Sequence, residues 1–224
     1  MRGTLERTNF YYLLAALLIF LIAIPLADDL GIGGAPIVRV LVFSGLLVVG
    51  VWTLRGGGRF FQIGMTFVVV GVVLNLLAAN MQSSFLQYGS LVLLIGFLLI
   101  AITFTLQQVA LGTDISVNRI AGAICVYLLL GVIWALSYAV VERAIPGSFS
   151  GFVAWADGSF DSEWIYFSFV TMTTLGYGDL LPISATARAM AYMQAVFGQF
   201  YIAVLVAGLV SAYISNRQST ASQD

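Results

Sequence analysis

The nine residues TMTTLGYGD, from Thr171 to Asp179, form a polar, glycine-rich stretch in a strongly apolar chain. The segment that leads into it, SEWIYFSFVTMTT from Ser162 to Thr174, is apolar and aromatic. It is too short to cross a bilayer, because a membrane-spanning helix needs about 20 mostly apolar residues. We therefore predict a half-helix that enters the membrane and returns. Non-helical backbone at membrane depth must line an aqueous path or be buried in protein, and we expect this of the residues after Thr174.

The composition is typical of a membrane protein. Of the 224 residues, 61% are hydrophobic and 8% are charged, whereas soluble domains carry about 25% charged residues. The net charge of −1 argues against a nucleic-acid partner. The chain has no histidine and no lysine, and its single cysteine is Cys125, which excludes hydrolytic triads, Schiff-base catalysis, histidine-ligated haem and ordinary zinc sites. We expect neither an enzyme nor a bound cofactor.

Hydropathy along the chain predicts six membrane-spanning helices, with the half-helix between the fifth and the sixth. Their approximate ranges are 10–27, 36–54, 60–80, 86–106, 120–141 and 187–214. The arginines predict the orientation, because cytoplasmic loops carry an excess of basic residues. Under this topology most of the nine arginines fall on the side that holds both chain termini. We therefore predict a multi-pass protein of the cell membrane with cytoplasmic N- and C-termini.

The longer stretch SFVTMTTLGYGDLLP, from Ser168 to Pro182, closely resembles the pore signature of the potassium-channel superfamily. Members of that family have a pore helix followed by a T-V-G-Y-G filter and an aspartate. The threonines, both glycines, the tyrosine and the aspartate of this chain are in register with that pattern. The strong resemblance covers about the last 105 residues, and over the preceding residues it extends only to the number of helices.

The resemblance implies an all-α membrane protein with six transmembrane helices, plus a re-entrant pore helix and a selectivity-filter loop between helices 5 and 6. The implied division is a four-helix domain without voltage-sensor charges at 1–106, an inner linker at 107–119, a pore domain at 120–215 and a short cytoplasmic tail at 216–224. Within the pore domain, the pore helix is expected at 162–173, the filter at 174–178 and the inner helix at 187–214. One chain supplies one pore loop, whereas a ring of filter carbonyls needs about four. We therefore predict a homotetramer surrounded by membrane lipid.

The filter residues implied by the resemblance would bind K⁺ as the permeant ion. A filter of this kind replaces the hydration shell of the ion with rings of backbone carbonyls. Glycine adopts the required backbone angles at low steric cost, which accounts for Gly176 and Gly178. The carbonyls expected to face K⁺ belong to Thr174, Leu175, Gly176 and Tyr177. The resemblance places Asp179 at the outer mouth, where it braces the filter.

The chain departs from the family pattern in and behind the filter. Leu175 replaces the usual valine, but its carbonyl is unchanged, so we expect selectivity to survive and the lifetime of the conducting filter to differ. Tyr166 and Phe167 occupy positions where many members carry paired tryptophans. Val170 stands where some bacterial members carry a glutamate that pairs with the filter aspartate. These three residues are predicted to support the filter, and Asp179 needs a different partner or water.

The sixth predicted span supplies the candidate cavity and gate. Gly198 lies where the inner helix of the family carries a hinge glycine, although a glycine that only allows close helix packing would look the same. Residues recurring every four positions on one face are expected to line the cavity and its constriction, unless they form a packing stripe; they are Ile202, Val206 and Val210. Thr173, at the end of the pore helix, is expected to face the cavity.

Two features bear on gating and on the outer surface. The fourth predicted span, Phe85 to Thr105, has no charged residue, whereas voltage sensors carry regularly spaced arginines. We therefore expect no voltage sensor, and the short polar tail predicts no regulatory domain after the sixth span. In the outer loop, three aromatic residues are interpreted as an interfacial belt, with an ordered cap over the mouth as the alternative; they are Phe149, Phe152 and Trp155.

The function favoured by these residues is passive, K⁺-selective conduction that is not gated by an arginine voltage sensor. A non-selective cation channel on the same architecture is one alternative, and Leu175 is its only support. A secondary transporter with a re-entrant loop is another, although such folds usually break helices in both halves. A non-conducting subunit is a third.

Overall fold

The computed structural model of the chain describes residues 10–30, 59–81, 84–111, 116–151, 162–211 and 213–214. These residues are mostly helical. The helices are α1 (Phe10–Asp29), α2 (Arg59–Met81), α3 (Ser84–Leu111), α4 (Val117–Ala144), α5 (Ser162–Met172) and α6 (Ala185–Phe200). After α6, the helix continues as a π-helix at Tyr201–Val206. The strands within the described ranges are β1 (Phe149–Ser150) and β2 (Leu181–Pro182).

Four of the described helical stretches are long and apolar enough to cross a membrane. They are Phe10–Ala27, Tyr88–Val109, Val117–Ala144 and Ala185–Ser211. Each of these four stretches coincides with a predicted span. Helix α2 coincides with one more, which was predicted at 60–80. The predicted second span at 36–54 lies outside the described residues. The prediction of a mostly helical membrane protein is confirmed in this coarser form.

Helix α4 is the central element, because α1, α3, α5 and α6 all pack against it, while α2 packs against α3. The start of α1, the end of α3 and the start of α4 meet at one end of the bundle. There the amide of Phe10 donates to Asn118 Oδ1 at 2.8 Å, and the Arg119 side chain donates to the carbonyl of Val109. These bonds satisfy backbone groups that helix ends leave unpaired.

The helix ends at this junction also bear on the predicted inner linker. Helix α3 continues to Leu111 and α4 begins at Val117, so helix covers much of the segment 107–119. Gly122 allows the three helices to approach closely, because a Cβ there would lie 2.8 Å from Val109 and 2.9 Å from Phe10.

At the opposite end of α4, hydrogen bonds fix the described part of the outer loop. The Glu142 carboxylate accepts hydrogen bonds from the amides of Gly147, at 2.8 Å, and Phe149, at 3.1 Å. Strand β1 then pairs antiparallel with β2, with Phe149 opposite Pro182. This pairing brings the outer loop alongside the chain that follows the TMTTLGYGD stretch.

Phe149 belongs to the hydrophobic core. It is 8% exposed, and its ring lies 5.1 Å from that of Trp164, 5.4 Å from that of Phe167 and 5.5 Å from that of Tyr138. The prediction that Phe149 forms part of an interfacial belt is therefore wrong, because the β1–β2 pairing turns it inward. The other two residues of that prediction, Phe152 and Trp155, lie outside the described residues.

Candidate functional site

Helix α5 ends in a backbone turn that begins the candidate site. The helix runs over Ser162–Met172, close to the predicted 162–173, and its buried face packs against α4 and α6. After it, the amide of Thr173 bonds to the carbonyl of Phe169 and that of Thr174 to the carbonyl of Thr171, both at 3.0 Å. The Thr173 hydroxyl also bonds back to the carbonyl of Phe169, at 2.7 Å. The chain then leaves helical geometry.

The loop from Thr174 to Asp179, called here the 174–179 loop, is held by the carbonyl of Val170. That carbonyl accepts from the amides of Leu175, at 2.9 Å, and Gly176, at 3.4 Å. Val170 therefore contributes to the loop through its backbone, although its side chain lacks the carboxylate that some relatives carry there. This contribution could not be read from the side-chain type.

Three alternate residues of the 174–179 loop have left-handed backbone. The φ angles are 59° for Thr174, 57° for Gly176 and 87° for Gly178. Glycine adopts such angles readily, whereas a non-glycine residue there is strained by about 1–3 kcal/mol, and such strained residues cluster at functional sites. Among the described residues, Thr174 is the one non-glycine residue with positive φ. The backbone conformation of this loop is therefore specific and strained.

The 174–179 loop is not covered by the rest of the described chain. All six of its residues are exposed, with Leu175 at 55% and Tyr177 at 68%. No atom of the described chain lies within 4 Å of a Cβ built on Gly176 or Gly178. These glycines are therefore required by backbone angle and not by lack of space within one chain.

Tyr166 is the partner of Asp179. Its hydroxyl donates to Asp179 Oδ2 at 2.7 Å, and its ring stacks on that of Tyr177 with a centroid distance of 6.4 Å and an interplanar angle of 5°. The other carboxylate oxygen of Asp179 accepts from the amide of Leu180 at 3.0 Å. The hydrogen bond from Tyr166 lowers the pKa of Asp179 below its ordinary value. Tyr166 thus links helix α5 to the tyrosine and the aspartate of the loop.

Phe167 lies behind this arrangement, in the core. It is buried and makes an edge-to-face contact with Tyr138 of α4 at 4.9 Å. Its contact with Phe149 ties α5 to the outer loop. The adjacent residues Tyr166 and Phe167 therefore have different tasks, since the first contacts the 174–179 loop and the second fixes the helix that carries it.

Gly198 of α6 packs directly against the end of α5. A Cβ at this position would lie 2.6 Å from the carbonyl oxygen of Met172 and 2.8 Å from its Cγ. This close approach supports the packing interpretation of Gly198. Sequence reasoning predicted a hinge at Gly198 but missed the π-helix that follows it at Tyr201–Val206.

The remaining candidate cavity residues lie in or beyond the π-helix. Ile202 and Val206 are within it, and Val210 follows it. Ile202 and Val210 are exposed and Val206 is half-buried. Thr173 is exposed at the end of α5. The described chain leaves these side chains largely uncovered.

A buried polar cluster behind α5 was also missed by sequence reasoning. Its members are Tyr138 and Gly131 of α4, Ser168 of α5 and Gln194 of α6. The three polar side chains are each 0% exposed. The available signal was Gln194, a polar residue in an apolar span, since polar groups in such positions are costly and usually have a specific purpose.

Comparison with known proteins supports the resemblance over this region. Residues 122–215 match the family described as "Ion channel". The chain is 34% identical over 82 residues to "Inward rectifier potassium channel Kirbac3.1" of Paramagnetospirillum magnetotacticum, covering 35% of this chain and 24% of that protein. It is 34% identical over 111 residues to "Two-pore potassium channel 3" of Arabidopsis thaliana, covering 48% of this chain and 22% of that protein. No solved structure gives a significant match.

The chain thus spans about a quarter of the length of the curated relatives that it matches. The matched family region begins in α4 and includes α5, the 174–179 loop and α6. The family model and both relatives that match this region are described as ion channels or potassium channels. From residue 122 to residue 215, the chain is therefore similar to ion channels of the potassium-channel superfamily.

Proposed function

We propose that this chain forms a K⁺-selective channel that conducts passively across a cell membrane. The observation that carries the proposal is the 174–179 loop, in which left-handed backbone recurs at every second residue immediately after a short helix. Alternation in the sign of φ allows successive peptide groups to point in the same direction. Four such carbonyls, from Thr174 to Tyr177, would form the K⁺ sites, with the Thr174 hydroxyl at the innermost one.

The chemistry of the loop suits a monovalent cation. A conducting site must replace the hydration shell with oxygen ligands while binding weakly enough to release the ion. Backbone carbonyl dipoles meet both conditions without a fixed charge. The C-terminal end of α5, which carries partial negative charge, leads directly into the loop and adds to the attraction. Asp179, held ionised by Tyr166, would contribute negative potential at the outer mouth.

A complete ring of carbonyls requires several copies of the loop, and we propose a homotetramer. Helix α6 supports this, because within one chain much of its apolar surface is uncovered. Its exposed large side chains include Tyr192, Met193, Val196, Phe197 and Phe200. Four copies around a central axis would cover one part of this surface, and lipid would cover the rest. Native mass measurement in detergent should give four subunits, and a stable, functional monomer or dimer would refute the assembly.

We expect the proposed channel not to be gated by an arginine voltage sensor. The described span Tyr88–Val109 of α3 carries no charged residue, so a membrane potential has little to act on there. With both termini on the cytoplasmic side, the 174–179 loop would open toward the outside. We expect gating to reside in the filter or the inner helix.

Flux measurements on the purified chain in liposomes test the proposal. The parent should pass K⁺ much faster than Na⁺ without a coupling ion. Gly176→Ala should lose this flux, because alanine is strained at a φ of 57°. Gly89→Ala is the matched control, since a Cβ at Gly89 meets nothing within 4 Å, and it should conduct like the parent.

The same measurement separates the alternatives. Equal Na⁺ and K⁺ flux would indicate a non-selective cation channel, and flux that depends on a second ion would indicate a transporter. If Gly176→Ala conducts like the parent, the 174–179 loop is not the filter.

A further inference from the structure

We propose that Gln194 positions the selectivity filter, by joining the inner helix to the pore helix through a hydrogen-bonded cluster buried behind the filter. The inference rests on the proposed function, because it concerns how the 174–179 loop is held in a conducting state. In these terms α5 is the pore helix and α6 the inner helix. The hydrogen bonds of Gln194 go to Ser168 and Tyr138, so Gln194 acts on the 174–179 loop through Ser168.

Both polar atoms of the Gln194 side chain have hydrogen-bond partners in the cluster. Its Nε2 donates to the carbonyl oxygen of Ser168 at 3.0 Å and to Ser168 Oγ at 2.7 Å. Its Oε1 accepts from the hydroxyl of Tyr138. Ser168 Oγ in turn donates to the carbonyl of Gly131 at 2.7 Å. One amide therefore connects α4, α5 and α6, and both its nitrogen and its oxygen have partners.

The position of Ser168 connects this cluster to the filter. Ser168 lies two residues before Val170, about 3 Å along the axis of the same helix. The Val170 carbonyl holds the amides of Leu175 and Gly176. A short, hydrogen-bonded helical turn transmits a displacement with little loss, so a shift at Ser168 moves the anchor of the 174–179 loop.

A second contact keeps the two helices in register. One turn beyond Gln194, Gly198 packs against Met172, which lies one turn beyond Ser168. Contacts at two successive turns fix both the height and the rotation of α5 against α6. Gly198 only allows the two helices to approach closely. Gln194 also fixes their relative orientation, because a hydrogen bond weakens steeply when its angle changes.

Because the cluster is buried, its hydrogen bonds are costly to break. Tyr138, Ser168 and Gln194 are each 0% exposed, and a buried amide without partners is costly in an apolar environment. The amide of Gln194 therefore favours one arrangement of the three helices. A movement of the inner helix would either carry the pore helix with it or break the cluster, and both outcomes change the filter.

The test compares single-channel behaviour of variants in planar bilayers. Gln194→Leu keeps the approximate volume and removes the amide, and Tyr138→Phe removes one hydroxyl. Gln107→Leu is the matched control, because Gln107 is exposed on α3, outside the pore region. The readouts are the duration of conducting bursts at low and high external K⁺ and the K⁺/Na⁺ permeability ratio. Tetramer content is measured on the same samples.

Gln194→Leu should assemble and shorten bursts at low external K⁺ at least about tenfold, because it removes the three hydrogen bonds of the Gln194 amide. High external K⁺ should restore the bursts, because ions in the filter stabilise it. Tyr138→Phe should give a smaller change in the same direction. The double variant of Gln194→Leu with Ser168→Ala should shorten the bursts by less than the two single changes combined, since residues that share a hydrogen bond are not additive. A residue that only stabilises the fold would lower tetramer content without these changes.

A conducting parent whose assembled Gln194→Leu variant has unchanged bursts and selectivity would overturn this inference and leave the proposed function standing. If Gln194→Leu does not assemble, Tyr138→Phe decides, and unchanged bursts in that variant would also overturn it. A parent that passes no K⁺ refutes the proposed function and this inference together.

Discussion

Substitution of Gly198 by alanine separates two interpretations of the inner helix. If Gly198 is only a hinge, alanine stiffens the helix and removes no contact. If Gly198 is required for packing, alanine collides with the end of α5. The Cβ would lie 2.6 Å from the carbonyl oxygen of Met172, well inside the 3.4 Å at which ordinary contact begins. Because that oxygen is a backbone atom, α5 or α6 must shift to relieve the overlap.

The two energies can be compared. Overpacking of this kind costs about 1–3 kcal/mol, whereas replacing glycine by alanine inside a helix contributes up to about 1 kcal/mol of stability. We therefore expect Gly198→Ala to lower the free energy of unfolding by about 1 kcal/mol. Gly208 is the matched control, since a Cβ there meets nothing within 4 Å, and Gly208→Ala should be neutral or stabilising.

Stability of the two variants is measured by denaturation of the purified protein in detergent, and K⁺ flux is measured in liposomes. Gly198→Ala should be less stable than Gly208→Ala. It should also conduct abnormally, because the displaced end of α5 carries the 174–179 loop. If Gly198→Ala is as stable as Gly208→Ala and conducts like the parent, the packing argument is wrong.

Two further substitutions test contacts on either side of α5. Tyr166→Phe removes the hydrogen bond that lowers the pKa of Asp179; the charged carboxylate is present above that lowered pKa and lost as the pH falls through it. The variant should therefore lose K⁺ flux at a higher external pH than the parent, and an unchanged titration would contradict the assignment. Gly131→Ala places a Cβ 2.5 Å from the Phe169 ring and should lower the free energy of unfolding by about 1–3 kcal/mol, measured against Gly89→Ala; equal stability of these two variants would show that the ring moves aside freely.

The local geometry of the site could be predicted, because it depends on residues that are close together in the sequence. A left-handed backbone at Gly176 and Gly178 demands glycine, and an apolar segment of half the length of a membrane span indicates a short helix. Both signals are contained in a few neighbouring residues. The structure has a helix that ends at Met172 and left-handed φ at both glycines, close to what the pattern predicts.

Contacts between distant residues were not predictable in the same way. Tyr166 donates a hydrogen bond to Asp179, 13 residues further along the chain. The residue types alone do not indicate this contact. Gln194 meets Tyr138 across 56 residues of chain. Phe149 was misassigned because its burial depends on the pairing of two short strands. Each of these outcomes is decided by packing between elements, which residue patterns do not specify.

The most direct test of the central claim is the reversal potential across a planar bilayer, with K⁺ on one side of the purified channel and Na⁺ on the other. Carbonyl rings built from the 174–179 loop should give a large potential whose sign shows that K⁺ carries the current. A reversal potential near zero, with current through the same channels, would contradict K⁺ selection by this loop.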